Sequence, residues 1–324
     1  MYLVRSFLRQ IEASNGLVTA KHAQRAEGFS IDKGKDANSY SDCAVSNMAG
    51  QPECALSLSQ KNGFAGSYLF KGVPVMARTW NSKKFKAAYE DLICQSPFAV
   101  HFGSPDYYSR YRLRYQRFLR SFCELAPPTA VDVLDIGGGQ LALLCKHLWA
   151  DRACVADIAI CGPLFDYLQS QSVEAVQWDL CKAEQPFIGQ FDFIFFSEVI
   201  EHLPLPGHVV LERLRRALKP GGTLICSTPN FYRLRNVVYL ALGLPIFDYF
   251  RMPEESGLSH VIEYTRDHLQ WQLEKAGFKD CHVSLCQMHR SSTNPLFRIM
   301  SWIGYPLLVV PRFRAALFAV ARAP

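Results

Sequence analysis

The sequence has 324 residues, of which 49% are apolar and 20% charged, and its 35 basic and 29 acidic side chains give a net charge of +6. This composition is that of an ordinary globular protein, and the charge alone is too small to indicate nucleic-acid binding. Eleven cysteines without a CxxC pair argue against a disulfide framework and against a zinc site of that spacing. Because no apolar run reaches the roughly 18 residues of a membrane span and residues 1–9 lack a signal-peptide core, we expect a cytoplasmic protein.

The first quarter of the chain differs from the rest. Residues 1–85 show neither helical nor strand periodicity and are rich in small and polar side chains, which predicts a poorly ordered or irregular extension. Residues 107–125 then predict an amphipathic helix with the apolar face Tyr108, Tyr111, Tyr115, Phe118, Phe122 and Leu125. Its five arginines are interpreted as a solvated face, and the alternative is a basic rim beside a binding site.

A predicted strand followed by glycines is the centre of the sequence. Residues 131–135, Val-Asp-Val-Leu-Asp, indicate a buried parallel strand. Residues 137–139 are all glycine, and residues 141–148 predict a helix. A strand that turns through glycines into a helix presents backbone N–H groups and a helix N-terminus to a ligand. The dinucleotide pattern Gly-x-Gly-x-x-Gly is not met, because Ala142 occupies the position of its third glycine.

Acidic residues follow the next two predicted strands. Strand 153–157 ends at Asp157, twenty residues after the first glycine, a spacing that suits a carboxylate accepting the ribose hydroxyls of a nucleoside. Strand 175–178 is followed by Asp179. Further strands are predicted at 191–196, 223–228, 281–286 and 316–321, with helices at 209–218 and 267–276. This alternation predicts an α/β protein with βαβ units and a parallel sheet.

Three phrases in this order resemble class I S-adenosylmethionine-dependent methyltransferases: LDIGGG at 134–139, EVIEHL at 198–203 and LKPGG at 218–222. The resemblance covers residues 105–324 and implies a Rossmann-like, doubly wound, mostly parallel seven-stranded sheet with helices on both faces and an antiparallel last strand. It also implies S-adenosylmethionine as cofactor, bound by Asp135, Gly137, Gly138, Gly139, Asp157, Asp179 and Ser197. One departure is Leu141, where many members carry another glycine, so the loop is expected to approach the cofactor less closely.

A second group of residues suggests a metal ion. Glu198, Glu201 and His202 are spaced so that a helix would place all three on one face, and carboxylate and imidazole groups suit a divalent cation. With STPN at 227–230 and HVIEYTR at 260–266, the segment resembles plant-type small-RNA 2′-O-methyltransferases and ubiquinone-pathway O-methyltransferases. The former resemblance implies Mg²⁺ or Mn²⁺ bound by Glu198, Glu201, His202 and His260. His202 or His260 is the candidate catalytic base, and the alternative is that these residues only cap and pack the segment.

Two apolar inserts interrupt the predicted domain of residues 86–324, at about 231–260 and 290–312. The first interpretation is a pair of lids that pack on the core and shape the substrate pocket. The second is attachment to a membrane surface beside a lipid-linked substrate, aided by Arg312, Arg314 and Arg322. Oligomeric state is left open.

Three functions follow from these features. The first is O-methylation of a small-molecule, glycan or lipid-linked intermediate, which the apolar inserts favour. The second is RNA 2′-O-methylation with a divalent cation, favoured by the arginine-rich helix and the 260–266 resemblance, although no RNA-binding module is recognised. The third is a cofactor-binding partner protein without catalysis. The presence of Asp135, Asp157 and the Glu-x-x-Glu-His set argues against it.

Overall fold

The computed structural model describes residues 78–94, 97–98, 106–160, 162–247, 259–288 and 305–324. The chain divides into two compact units, residues 1–69 and 70–324, and every described residue belongs to the second. The predicted N-terminal extension therefore lies outside the described residues up to residue 77. Most of the second apolar insert lies outside them as well.

A seven-stranded sheet forms the centre of the second unit. The strands are β1 Asp132–Ile136, β2 Arg152–Asp157, β3 Glu174–Gln177, β4 Phe191–Ser197, β5 Leu218–Pro229, β6 Lys279–Cys286 and β7 Ala316–Arg322. Their order in the sheet is β3-β2-β1-β4-β5-β7-β6. Of these seven strands only β7 runs antiparallel, pairing with β5 on one side and β6 on the other. The predicted mostly parallel sheet with an antiparallel last strand is confirmed.

Helices cover both faces of the sheet, as a doubly wound fold requires. The helices are α1 Ser82–Tyr89, α2 Asp106–Leu125, α3 Gln140–Trp149, α4 Pro163–Ser170, α5 Gly207–Ala217, α6 Leu234–Ala241 and α7 Arg266–Lys275. One apolar core contains side chains of α1 to α4, and a second core on the opposite face contains side chains of α5 and α7. The predicted Rossmann-like α/β fold is confirmed.

The central strand β4 shows why this sequence makes a two-faced sheet. Side chains alternate between the faces of a strand, so an apolar run buries both. Phe193 and Phe195 belong to the core beneath α2, and Ile194 and Phe196 belong to the core beneath α5. All four are at most 4% exposed.

The predicted ends of the elements are mostly correct to within two residues, with one larger difference. The sequence places a break at residues 219–222, but these residues form a bulge within β5. Leu218 pairs with Phe191 and Thr223 with Phe193, so the strand continues on both sides of the glycines. Gly221 has φ +73°, a value that favours glycine and lets the backbone loop out of the ladder.

The described part of the domain begins before the predicted boundary at residue 85. Phe85 is 2% exposed and belongs to the core, and that boundary falls within α1. Arg78 forms a buried ion pair with Asp151, which precedes β2, and donates a further hydrogen bond to the carbonyl of Pro127. Asp151 also accepts the N–H of Val131. This ion pair fixes the segment before α1 to the amino ends of the first two strands.

We expect Arg78→Met to lower the free energy of unfolding by about 3–5 kcal/mol, because it leaves the Asp151 carboxylate buried without its cation. Urea unfolding followed by circular dichroism measures the change. The matched control is Arg120→Met, whose partner Glu124 is half exposed, and which should cost less than about 1 kcal/mol. Equal losses in the two variants would contradict the structural role of Arg78.

Candidate functional site

The carboxyl ends of four parallel strands bring the predicted cofactor residues to one edge of the sheet. β1 ends beside the glycine loop, and Asp157 is the last residue of β2. Asp179 lies two residues beyond β3, and Ser197 ends β4. Open α/β sheets bind their ligands at this edge. The spacing read from the sequence therefore corresponds to a real clustering of strand ends.

The glycine loop has the backbone shape that its sequence suggests. Gly137 has φ +110° and Gly139 has φ +80°, both in the left-handed region. A Cβ atom on Gly139 would lie 2.9 Å from a methyl carbon of Leu168, so α4 packs directly against this residue. Leu141 points its side chain into the core, where it is 1% exposed.

Asp135 joins β1 to the start of α3. Its Oδ2 atom accepts the N–H groups of Leu141 and Ala142 at 2.8 and 3.2 Å, so the carboxylate caps two donors of the first helical turn. The residue is 3% exposed. Burial raises its pKa to about 7, although the two N–H bonds oppose the shift.

The other acidic candidates have local partners. Asp157 accepts the N–H of Ala159 at 3.2 Å, and Asp179 accepts the N–H of Cys181 at 2.8 Å. Both side chains remain partly accessible. Both carboxylates are therefore accessible at the carboxyl edge of the sheet.

Glu198 does not follow the prediction, because the segment after β4 is not an α-helix. Glu198 has φ +55°, and only Ile200–His202 form a short 3-10 turn. Its carboxylate accepts the Ser227 hydroxyl at 2.7 Å and faces Arg114 at 3.4 Å. The predicted common helical face of Glu198, Glu201 and His202 is therefore wrong, and Glu198 is not part of the closest cluster.

Glu201, His202 and His260 do lie together. One potential ligand atom from each of the three lies within 4.8 Å of the others. Glu201 is 1% exposed and accepts the Thr228 hydroxyl at 2.9 Å, while its second oxygen has no hydrogen-bond partner. Burial, reinforced by the nearby charge of Glu198, raises the pKa of Glu201 well above its usual range.

The two histidines are oriented by hydrogen bonds at Nδ1. His202 Nδ1 lies 3.1 Å from the carbonyl oxygen of Ser259, and His260 Nδ1 lies 3.2 Å from a carboxylate oxygen of Glu263. Because both partners are acceptors, each Nδ1 carries the proton and each Nε2 keeps its lone pair in the neutral ring. The ring centroids are 4.9 Å apart. Burial lowers the pKa of His202, so this ring is neutral at pH 7.

Sequence reasoning missed the residues that hold His260 in place. Glu263 is 1% exposed at its side chain, and it also accepts hydrogen bonds from Arg233 and Asn236 of the first insert. The backbone carbonyl of Glu201 accepts the N–H groups of Val261 and Ile262. These contacts fix the segment that carries His260 against the 3-10 turn. The phrase HVIEYTR contained Glu263, but its spacing alone could not assign this role.

Arg114 is a second missed residue. It is 8% exposed, donates to the Tyr107 hydroxyl and lies over the ring of Tyr111. A solvated face is therefore the wrong interpretation for this arginine. Arg114 lies three residues after Tyr111 and four before Phe118, within the apolar stripe of α2. A buried cation at that position needs a carboxylate partner, which is the partly exposed Glu198.

The raised pKa of Asp135 gives a prediction for stability. Between about pH 4 and pH 7 the folded state binds a proton that the unfolded state has released, so stability falls as pH rises through this window. Asn at this position keeps an oxygen for the two N–H groups without the buried charge. We therefore expect Asp135→Asn to reduce this pH-dependent loss by up to roughly 4 kcal/mol.

Urea unfolding of both proteins at pH 5 and pH 8 covers the upper part of this window, where roughly 3 kcal/mol of the difference is expected. Other titrating groups contribute the same pH dependence of stability to both proteins. The contribution of Asp135 is therefore the difference between the pH dependence of the unchanged protein and that of Asp135→Asn. The same pH dependence in both proteins would contradict a perturbed Asp135 carboxyl.

Comparison with known proteins agrees with this geometry. The sequence model of a methyltransferase domain family matches residues 107–283, which is more than half of the chain. Uncharacterized proteins from two strains of Mycobacterium tuberculosis are 33% identical over 113 residues, which is 32% of this chain and 38% of theirs. The matched part thus spans well under half the length of these curated relatives.

Solved structures with a similar fold include a putative methyltransferase of Haloferax volcanii in complex with the Trm112 methyltransferase activator. It is 17% identical with a TM-score of 0.48, and the match covers 67% of this chain and 90% of that one. Another is phosphoethanolamine N-methyltransferase 2 of Haemonchus contortus, 15% identical with a TM-score of 0.46, covering 73% and 60%. On the family match, the chain belongs to the methyltransferase domain family.

Proposed function

We propose that this protein transfers the methyl group of S-adenosylmethionine to a hydroxyl oxygen of a small-molecule, glycan or lipid-linked acceptor. The observation that carries the proposal is the pair of neighbouring imidazoles, His202 and His260, each with its Nδ1 proton held by an acceptor. A hydroxyl keeps its proton at neutral pH and therefore needs a base, whereas an amine loses its proton more readily. A site with two oriented Nε2 lone pairs suits the harder acceptor.

The strand edge supplies the groups that S-adenosylmethionine requires. Asp157 is proposed to accept the ribose hydroxyls and Asp179 to receive the adenine amino group. The glycine loop and the start of α3 lie beside them, with Ser197 at the end of β4. Two glycines with positive φ let the backbone approach a ligand without a side chain between them.

The reaction needs positioning more than covalent help. Methyl transfer is an in-line displacement at a sulfonium whose charge disappears, so rate comes from aligning donor and acceptor and excluding water. Arg114 and Ser227 hold Glu198, and Thr228 holds Glu201. His202 or His260 is proposed to take the acceptor proton at Nε2.

A divalent cation is the alternative to a histidine base at this site, because an Nε2 atom that binds a cation no longer accepts a proton. Glu201, His202 and His260 offer one carboxylate and two imidazoles, a donor set that suits Mn²⁺ better than the all-oxygen preference of Mg²⁺. Among the described residues, the second oxygen of Glu201 accepts no hydrogen bond and lies 3.9 Å from His202 Nε2. When bound, such a cation lowers the pKa of a coordinated hydroxyl. The proposed ligand set has three residues, because Glu198 is engaged by Arg114 and Ser227.

The exposed apolar side chains of the first insert support the proposed acceptor class. Leu240 and Leu242 are about half exposed beside the site-bearing segment, and apolar surface of this kind suits an apolar or lipid-linked acceptor. The second candidate is RNA 2′-O-methylation, favoured by the histidine and glutamate cluster and by the phrase HVIEYTR. RNA is the weaker candidate, because the exposed leucines of the insert contribute nothing to phosphate binding.

We expect Asp157→Ala to weaken S-adenosylhomocysteine binding by about ten- to a hundred-fold, because charge-assisted hydrogen bonds to the ribose are lost. A calorimetric titration measures the affinity. Asp166→Ala is the matched control, since Asp166 is an exposed acid on α4. Unchanged affinity in Asp157→Ala would refute the assignment of the ribose site.

The acceptor is identified with radiolabelled S-adenosylmethionine and chelator-treated enzyme, incubated with total lipid, glycan and RNA fractions with or without Mn²⁺. We expect label in lipid or glycan as an alkali-stable methyl ether, increased by Mn²⁺. His260→Ala should lower the incorporation by at least about a hundred-fold, as is usual for loss of a general base.

The control for this assay is His147→Ala, whose imidazole contacts Gln171 at the surface. Label found only in RNA would support the second candidate and overturn the first. Label in an amine or an alkali-labile ester would overturn hydroxyl transfer altogether. Full activity after chelation would remove the cation from the proposal and leave the histidine base.

A further inference from the structure

The helix α6 buries a polar side chain and leaves apolar side chains exposed. Its one buried residue is Asn236, which donates to Glu263 and to the carbonyl of Phe231. Val238 is 37% and Leu240 54% exposed, and the other large apolar residues of the helix are half-buried. An amphipathic helix in water normally buries its apolar side chains. The exposed apolar side chains of α6 are therefore available to another medium.

The chain on either side of this helix extends the same kind of surface. Leu242 and Phe247, which follow α6, are 46% and 47% exposed. The 3-10 segment Tyr305–Val309 contributes Leu307 at 48% and Val309 at 73%. Exposed apolar side chains concentrated in two short segments are more informative than single ones scattered over a surface.

Both segments are connected to the same edge of the sheet. The side chain of Asn230, directly after β5, donates to the carbonyls of Arg312 and Arg314 at 2.8 Å each. Pro229 at the end of β5 pairs with Ala316 at the start of β7. The exposed segments therefore adjoin the carboxyl edge that carries the candidate site.

The charges of these segments are all positive. Residues 229–247 and 305–315 contain no Asp or Glu. Arg235 and Arg312 are exposed, and the Arg235 guanidinium lies 5.0 Å from the centroid of the Tyr239 ring. The acids nearest in sequence, Asp248, Glu254 and Glu255, lie outside the described residues. Apolar side chains with neighbouring arginines are the composition of a surface that binds anionic lipid headgroups.

We propose that α6 and the 305–310 segment form a docking surface for an anionic lipid bilayer. The leucines, Phe247 and Val309 enter the boundary between headgroups and acyl chains, and the arginines remain at the headgroups, where long side chains place their charges. No helix among the described residues is long and apolar enough to cross a bilayer. The surface thus provides interfacial contact.

Hydrogen bonds connect the docking surface to the candidate site. Arg233 and Asn236 at the start of α6 bind Glu263, and Glu263 holds Nδ1 of His260. A helix lying on a bilayer would therefore hold the histidine pair close to the lipid surface, where a lipid-linked hydroxyl is available. Docking itself does not depend on the proposed reaction, so each proposal fails separately.

The test is flotation of the full chain with vesicles of phosphatidylcholine alone and of phosphatidylcholine mixed with phosphatidylglycerol, without any acceptor. We expect binding to the mixed vesicles that weakens as salt is raised. Leu240→Gln with Leu242→Gln should reduce it by about tenfold for each leucine withdrawn from the bilayer. Arg235→Gln with Arg312→Gln should abolish the preference for anionic vesicles.

The matched control is Ile188→Gln, an exposed apolar residue (66%) near the amino end of β4, at the opposite edge of the sheet. It should bind vesicles as the unchanged protein does. S-adenosylhomocysteine affinity and thermal unfolding establish that each variant is folded. Absence of vesicle binding, or an equal loss in Ile188→Gln, overturns the proposal. Oligomers that the leucine changes dissociate, without vesicle binding, would assign the surface to a second copy of this chain.

Discussion

The buried carboxyl group of Glu201 is the constraint on which the site depends. It is 1% exposed, and its side chain accepts the hydroxyl of Thr228 from β5, while its backbone carbonyl accepts two N–H groups from residues 261–262. Three segments far apart in sequence therefore meet at one residue. Burying a carboxyl group is costly unless it is neutral or paired. The second carboxyl oxygen accepts no hydrogen bond from the described residues, so it is available to a ligand.

Glu198 illustrates how the fold tolerates local strain at this edge. A left-handed backbone costs a non-glycine residue roughly 1–2 kcal/mol, and Glu198 has φ +55°. The cost is offset by the Ser227 hydroxyl and by Arg114, which is itself buried. Burial lowers the pKa of Arg114, but the carboxylate of Glu198 outweighs this and the net pKa is raised. The arginine therefore remains charged and fastens α2 across the strand ends.

The sequence predicted the sheet well because strand periodicity and the glycine loop are local signals. The spacing placed Asp135, Gly137, Gly139 and Asp157 at the ends of predicted strands, and the parallel register brings them to one edge. Arg114 and Glu263 were missed because burial of a charged residue depends on a partner 84 or 30 residues away. The helical face proposed for Glu198 was wrong because a 3-10 turn, selected by tertiary contacts, replaced the α-helix. Short turns of this kind have weak propensities and follow packing.

The division of the histidine pair between two segments has a consequence for access. His202 follows β4, whereas His260 belongs to the insert that includes α6. Backbone hydrogen bonds from residues 261–262 to the Glu201 carbonyl join the two parts, and Glu263 connects His260 to α6. The pair is therefore complete only when the insert is packed against the 3-10 turn. Any acceptor or surface that changes the position of α6 acts on His260 directly, because Arg233 and Asn236 share one carboxylate with it. If the proposed histidine base acts, the position of one histidine at the sheet edge and of the other on an insert with exposed apolar side chains links proton removal to the medium that the insert contacts.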